Sequence, residues 1–306
     1  MHLTALKPLV VLIFICVNSN RLHMEQFISF WDHITTGQRF FTVILPLIFF
    51  WLLEYVIPLF RFDEKYHKIR HTGINLVFLG TSFILNILLG LITMKVCQWV
   101  VGARWGLFQQ IQMPMWLMVI CTLVIMDLFA QYIPHWLMHK VKFFWRFHVV
   151  HHSDTHVDVS TGTRHHPGEW IIREFFTITG IFLMGIPAGF YFMHRSFQAL
   201  FTYFNHANIS LPVWLDRTIS WIFVSPDMHK FHHHYKRPWT DRNYANSFSV
   251  WDRLFGTLVY GDRNQIRYGI DTLPDEKDES IKYQMKVPFD YSIQVSIPEN
   301  EQKPAH

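Results

Sequence analysis

PMWLMVICTLVIMDLFAQYIPHWLMHKVKFFWRFHVVHH, residues 114–152, decides the fold. Residues 114–133 are apolar and match the ~20 residues that cross a hydrocarbon core of ~30 Å as a helix. Asp127, Gln131, His135 and His139 follow one another at four-residue steps, so on that helix they form one slowly drifting polar stripe. Ionisable groups in a membrane helix are costly unless they face a protein interior or a cavity. The stripe must therefore point inward. His135 and His139 are candidate metal ligands, and Asp127 and Gln131 are candidate partners that orient imidazoles. A helix-packing stripe of hydrogen-bonded polar residues is the competing reading of this group alone. The linker KVKFFWRF, residues 140–147, suits the headgroup zone, with Trp145 and Arg146 expected to snorkel at the boundary.

Beyond the linker stand His148, His151 and His152, spaced to share a helix face, and the spacing recurs far downstream as His229, His232 and His233. Ser225, Pro226 and Asp227 precede this last group as an N-cap, a proline at the first helical position and an acidic first turn. His234 extends the run but points away from its face. His206, at the end of an apolar segment, is a ninth candidate ligand. His165 and His166 are weaker candidates beside Pro167 and Glu169, and His156 and His194 read as bystanders. Asp154, Asp158 and Asp252 are acids able to hold imidazole N–H groups, although surface carboxylates are the default. Imidazole suits zinc, copper, iron and nickel, and eight or nine of them exceed the needs of one ion. Two metal ions are the economical expectation.

Half of the 306 residues are hydrophobic, and they fall in long runs. Residues 41–60, 74–101 and 114–133 read as membrane spans, whereas residues 8–18 are too short to cross and read as a retained interfacial segment despite Lys7. A fourth apolar region, 175–201, is broken by Gly180, Gly185, Pro187 and Gly189. It either makes a last pair of crossings or dips in and returns as a re-entrant hairpin. Basic residues cluster between the first two spans, at Arg61, Lys65, Lys68 and Arg70, and again beyond the third, so the histidines should face the cytoplasm. Cys16, Cys97 and Cys121 lie in apolar stretches and suggest neither a disulfide framework nor a zinc site. A net charge of +4 without an arginine-rich face argues against nucleic acid. The expected architecture is an all-α integral membrane protein with about four transmembrane helices and a cytosolic helical cap carrying a histidine-rich di-metal site. Its divisions are an N-terminal segment over 1–40, a membrane domain over 41–261 and a polar tail over 262–306, read as a solvated cap or as partly disordered.

HWLMH (135–139), HVVHH (148–152) and HKFHH (229–233), followed by NYANSFSVWDRLFGT (243–257), resemble the fatty acid hydroxylase and sterol desaturase superfamily of membrane oxygenases over about residues 40–260. The resemblance implies a di-iron centre that uses O2 on an unactivated C–H bond of a lipid. It implies that the eight motif histidines are iron ligands, with His206 matching an extra histidine of the branch resembling alkylglycerol monooxygenase. A separate electron donor of cytochrome b5, ferredoxin or pterin type is implied as well. Hydroxylation of a fatty acyl or sterol-like lipid is the leading expectation, with desaturation on the same site as runner-up. A histidine-rich metal transporter and a zinc-dependent hydrolase are alternatives of another class. The expected compartment is a bacterial inner membrane rather than the endoplasmic reticulum.

Overall fold

A computed structural model describes residues 24–295 apart from residues 25, 63–65, 237 and 238. The apolar segment 8–18, with Lys7 and Cys16, lies outside the described residues, as does Lys65. The described chain is helical and has no named strand, only isolated bridges such as Pro58 with Ile209. We number the principal helices α1 (Thr36–Val56), α2 (Lys68–Thr81), α3 (Phe83–Gly102), α4 (Met115–Asp127), α5 (Ile133–Lys140), α6 (Lys142–His152), α7 (Pro167–Met184), α8 (Ala188–His206), α9 (Val213–Ile219), α10 (Pro226–His232), α11 (Val250–Leu254) and α12 (Ile281–Lys286).

Three helical stretches, Thr36–Val56, Phe83–Gln110 and Met115–Lys140, are long and apolar enough to cross a membrane, and the chain is an integral membrane protein. Their outer faces leave large apolar side chains uncovered, among them Phe40, Phe49, Ile84, Leu91 and Trp116. Water would penalise such a belt and lipid does not. The first stretch starts earlier than residue 41, because Thr35 and Gln38 close a capping box. The second expected span divides at Ser82, so that α2 lies apart from the stretch beginning at Phe83. The third runs unbroken into the first histidine group through a π-helical turn, Leu128–Tyr132. Pro134 accounts for the wide turn: it lacks an N–H and its ring crowds the carbonyl four residues back.

The broken apolar region folds as the hairpin α7–α8. Its turn meets the loop that joins the second and third stretches, where Gln109 Nε2 donates to the Gly185 carbonyl at 2.8 Å. Both chains need glycine at this crossing. Gly106 and Gly185 sit at φ 95° and 73°, and a Cβ on Gly106 would stand 2.3 Å from the Gly185 nitrogen. The hairpin thus runs from this end of the bundle to the histidine end. Along the way α8 packs on α1, with Thr42 and Ser196 hydroxyls 2.8 Å apart, and α7 packs on α3, with Thr93 Oγ1 donating to Glu174 at 2.5 Å.

Two expectations fail at the aqueous end. Trp145 and Arg146 are buried rather than snorkelling. Trp145 packs against the rings of His139 and His152, and the Arg146 guanidinium donates to the carbonyls of Val287, Pro288, Asp290 and Ile293. The tail is correspondingly not a free solvated cap over its described part. Ile270, Leu273, Val287 and Val295 form an apolar cluster with Trp145 and Val149 of α6. A charged composition concealed this, since the docking rests on four apolar residues and the Arg146 fork.

A buried polar knot fixes α2 beside α6. His71 Nε2 lies 3.3 Å from Asp154 Oδ2, Asn75 donates to Ser160, and Tyr66 donates to Asp158 at 2.6 Å. Burial alone would lower the His71 pKa, but Asp154 outweighs it and holds the group up at about 9. A pKa raised above the unfolded value of ~6.5 stabilises fully below that pH and less as pH climbs toward the folded value. Thermal unfolding should therefore show wild-type stability falling between pH 6.5 and about 9, by on the order of 2–3 kcal/mol, with the slope flattened in His71→Gln. Equal slopes in both proteins would refute the assignment.

Candidate metal centre

The histidines separate into two nitrogen-only groups that cut across the sequence motifs. His135 and His139 of α5, His148 and His152 of α6 and His232 of α10 form one, with ligand atoms all within 4.8 Å of one another. His151 of α6, His206 of α8, and His229 and His233 at α10 form the other. Neighbouring histidines therefore serve different groups: His151 and His152 part company, as do His232 and His233. Helix geometry explains the split, since adjacent residues point ~100° apart while i and i+4 share a face. The α10 start follows the sequence expectation, with Ser225 Oγ capping Met228 N–H and Pro226 in the first turn. All nine rings are buried.

Six of the nine rings are held from behind, whereas Nδ1 of His152, His229 and His233 is buried without a hydrogen-bond partner. In the first group Nδ1 of His135 contacts the Tyr244 carbonyl at 2.6 Å, and Nδ1 of His232 contacts the Arg242 carbonyl at 2.7 Å. His139 Nδ1 faces Asp241 at 3.2 Å and His148 Nδ1 faces Glu169 at 3.1 Å. In the second group Nδ1 of His206 contacts the Thr202 carbonyl at 2.7 Å and Nδ1 of His151 contacts the Arg164 carbonyl at 3.2 Å. A carbonyl only accepts, so each of these nitrogens is the protonated one. The opposite Nε2 of a neutral ring then carries a lone pair. In the first group the Nε2 atoms of His135, His139, His148, His152 and His232 are buried without a hydrogen-bond partner.

The second group is more telling. His206 Nε2 lies 3.1 Å from His151 Nε2, 3.1 Å from His229 Nε2 and 3.2 Å from His233 Nε2. His151 and His206 both donate through Nδ1, so their facing Nε2 atoms are two lone pairs in the neutral rings and repel. Protonation is opposed as well: burial and the neighbouring imidazoles push His151, His229 and His233 well below the usual histidine range, and His148 and His232 fall to about 3, mainly through burial. A cation between the lone pairs removes the conflict. Two nitrogens each ~2.0–2.1 Å from one ion subtend about this separation. The donor set thus fits metal ions that accept imidazole, such as iron, zinc, copper or nickel.

The remaining candidates occupy other places. Asp127 accepts the backbone N–H groups of Ser247 and Phe248, both at 3.0 Å, and Gln131 Oε1 accepts from Arg173 at 3.1 Å; both side chains are buried, and neither touches an imidazole in the contacts just given. His166 caps α7, its Nδ1 accepting the Gly168 N–H, and is drawn into neither group. His165 stacks on His151 with ring centroids 4.4 Å apart and shares Glu169 with His148. His156, His194 and His234 lie outside both groups. Asp252 is buried and accepts the N–H groups of Tyr244 and Ala245, which fixes the carbonyl that holds His135.

Sequence reasoning passed over Glu169, Arg164 and Asp241. Glu169 Oε1 lies 3.1 Å from the Nδ1 atoms of His148 and His165 and 2.8 Å from Arg173 Nε. Its place in the first turn of a helix opening on proline was the available signal. Arg164 donates to the Val150 carbonyl, Asn75 Oδ1, Ser153 Oγ and the Asp278 carbonyl, and nothing in its local sequence announces that. A cavity of about 40 Å³ adjoins the imidazoles, walled by His151, His206 and His229 and by Gln131, Trp170, Arg173, Gln198, Thr202 and Asn246.

Residues 118–257 match the family model described as fatty acid hydroxylase. Alkylglycerol monooxygenase of Xenopus tropicalis is 28% identical over 144 residues, 46% of this chain and 30% of that protein. The Homo sapiens alkylglycerol monooxygenase is 29% identical over 160 residues, 51% of this chain and 34% of that protein. Ornithine lipid hydroxylase OlsE of Rhizobium tropici is 29% identical over 149 residues, 48% of this chain and 43% of that protein. The matched region therefore spans less than half the length of these relatives. No solved structure matches.

Proposed function

We propose, from the premise that residues 118–257 are a fatty acid hydroxylase domain, that this chain hydroxylates an unactivated C–H bond of a membrane lipid with O2 and iron. The observation that carries the reading is the pair of buried groups in which imidazole lone pairs converge on one another. His135, His139, His148, His152 and His232 would hold one iron, and His151, His206, His229 and His233 the other. Bound iron would supply the redox chemistry that activates O2, which zinc cannot. The protein's own groups do the rest. Carbonyls and carboxylates behind His135, His139, His148, His151, His206 and His232 keep Nδ1 protonated and leave Nε2 to face the ion, the outer-partner arrangement that orients metal-binding histidines.

The proposed placement has the histidine end at the cytoplasmic face, with the α7–α8 hairpin reaching through the bilayer beside the three apolar stretches. Arg61, Lys68 and Arg70 at that end support it. A lipid would approach from the bilayer while O2 and electrons arrive from water, the electrons from a separate carrier. Comparing lipids from cells that express wild type or His151→Ala under 18O2 tests the activity. A lipid species gaining one labelled oxygen only with wild type is expected. A new double bond without oxygen would make the enzyme a desaturase, and identical lipids in both cultures would refute the oxygenase reading.

A further inference from the structure

Along α8 the residues Arg195, Gln198, Thr202 and His206 are spaced three, four and four apart, so they share one face. That face begins at the second imidazole group, and Gln198 and Thr202 line the adjoining cavity. Arg195 is half-buried and stands one turn beyond the cavity lining, with its guanidinium 5.8 Å from the ring centroid of Trp170, itself a lining residue. The other arginines near the site have their donors taken. Arg173 is paired with Glu169 at 2.8 Å and with Gln131 at 3.1 Å, while Arg146 and Arg164 each fork onto several acceptors. Arg195 makes one hydrogen bond, to Gln198 Oε1 at 3.3 Å.

Among the described residues no carboxylate oxygen pairs with Arg195 within ion-pair distance. The Glu174 carboxylate on the neighbouring helix is engaged by the hydroxyls of Thr93 at 2.5 Å and Tyr191 at 3.4 Å. The Trp170 indole N–H, on the same wall, is buried without a partner. A guanidinium with unspent donors at membrane depth is costly, and such residues mark ligand paths when they face a cavity. Its planar fork matches a carboxylate or a phosphate.

We propose that Arg195, supported by Gln198 and the Trp170 indole, is the anchor for an anionic group, carboxylate or phosphate, on the lipid that approaches the imidazoles beside this cavity. The anchor makes Arg195 a specificity-determining residue that selects charged over neutral amphiphiles of equal chain length. This rests on the reading of the cavity as a lipid-oxidising site, and binding tests it independently of turnover. Purified protein in an uncharged detergent, holding a fluorescent fatty acid, is challenged with hexadecanoate, hexadecyl phosphate and hexadecanol. At least one anion should displace the probe at about tenfold lower concentration than the alcohol, the scale of one charge-assisted hydrogen bond. The better anion identifies the headgroup chemistry. Arg195→Gln should abolish the preference and Arg195→Lys keep part of it. Equal displacement by anions and alcohol in wild type overturns the proposal, as does a preference that survives in Arg195→Gln. A clear preference in protein with no oxygenase activity would leave the anchor standing and remove only the hydroxylase reading.

Discussion

Replacing His206 with alanine should release the metal of the second imidazole group and lower lipid oxidation at least ~100-fold, beyond the 10–100-fold that loss of an outer partner costs. His206 is the pivot of that group, because its Nε2 lies 3.1–3.2 Å from those of His151, His229 and His233. The neighbouring His165 is otherwise engaged, stacking on His151 and turning its Nδ1 to Glu169. The first group draws on different rings and should keep its ion. His166→Ala is the matched control, since that ring caps α7 and joins neither group. It should cost about 1 kcal/mol of stability as a lost cap and leave metal content intact. Metal content per chain and product yield, measured on both variants, check the pair. Equal losses would mean that the histidines act through folding alone.

Arg164→Leu should produce the largest structural effect of any single substitution away from the imidazoles. Arg164 is wholly buried and joins four segments: α6 through the Val150 carbonyl, the following turn through Ser153, α2 through Asn75, and the tail through the Asp278 carbonyl. Leucine would strand these acceptors out of water, each at a cost of about 1–3 kcal/mol, giving on the order of 3–5 kcal/mol after relaxation. The same backbone supplies the carbonyl that holds His151 Nδ1, so metal affinity should fall with stability. Lysine restores the charge but not the fork and should rescue only part of the loss. Thermal unfolding of metal-loaded wild type, Arg164→Lys and Arg164→Leu should rank in that order, and an unshifted midpoint for Arg164→Leu would refute this role.

The helices and the ligand candidates were legible because each rests on a short-range regularity. Twenty apolar residues announce a span, Ser225 and Pro226 announce α10, and i, i+4 spacing announces that His135 and His139 share a face. The pairing of motifs was not legible. His152 joins His139 while His151 joins His206, and that division depends on how α6, α8 and α10 meet in space. Asp127 shows a related limit. Its stripe predicted an inward acid, and the acid is inward, but it holds the backbone of Ser247 and Phe248, more than a hundred residues away. Arg146 and Trp145 carried the composition of a membrane boundary and were buried by a tail whose docking is written in a handful of apolar positions.

The central claim is that two nitrogen-only pockets each hold a metal ion that serves lipid oxidation. Counting iron per chain by elemental analysis, on wild type, His152→Ala and His206→Ala purified together from iron-replete cells, tests it most directly. About two irons per wild-type chain are expected, one for each imidazole group, and no more than about one in either variant. Wild-type protein that holds zinc in place of iron, or variants that bind as much metal as wild type, would contradict it.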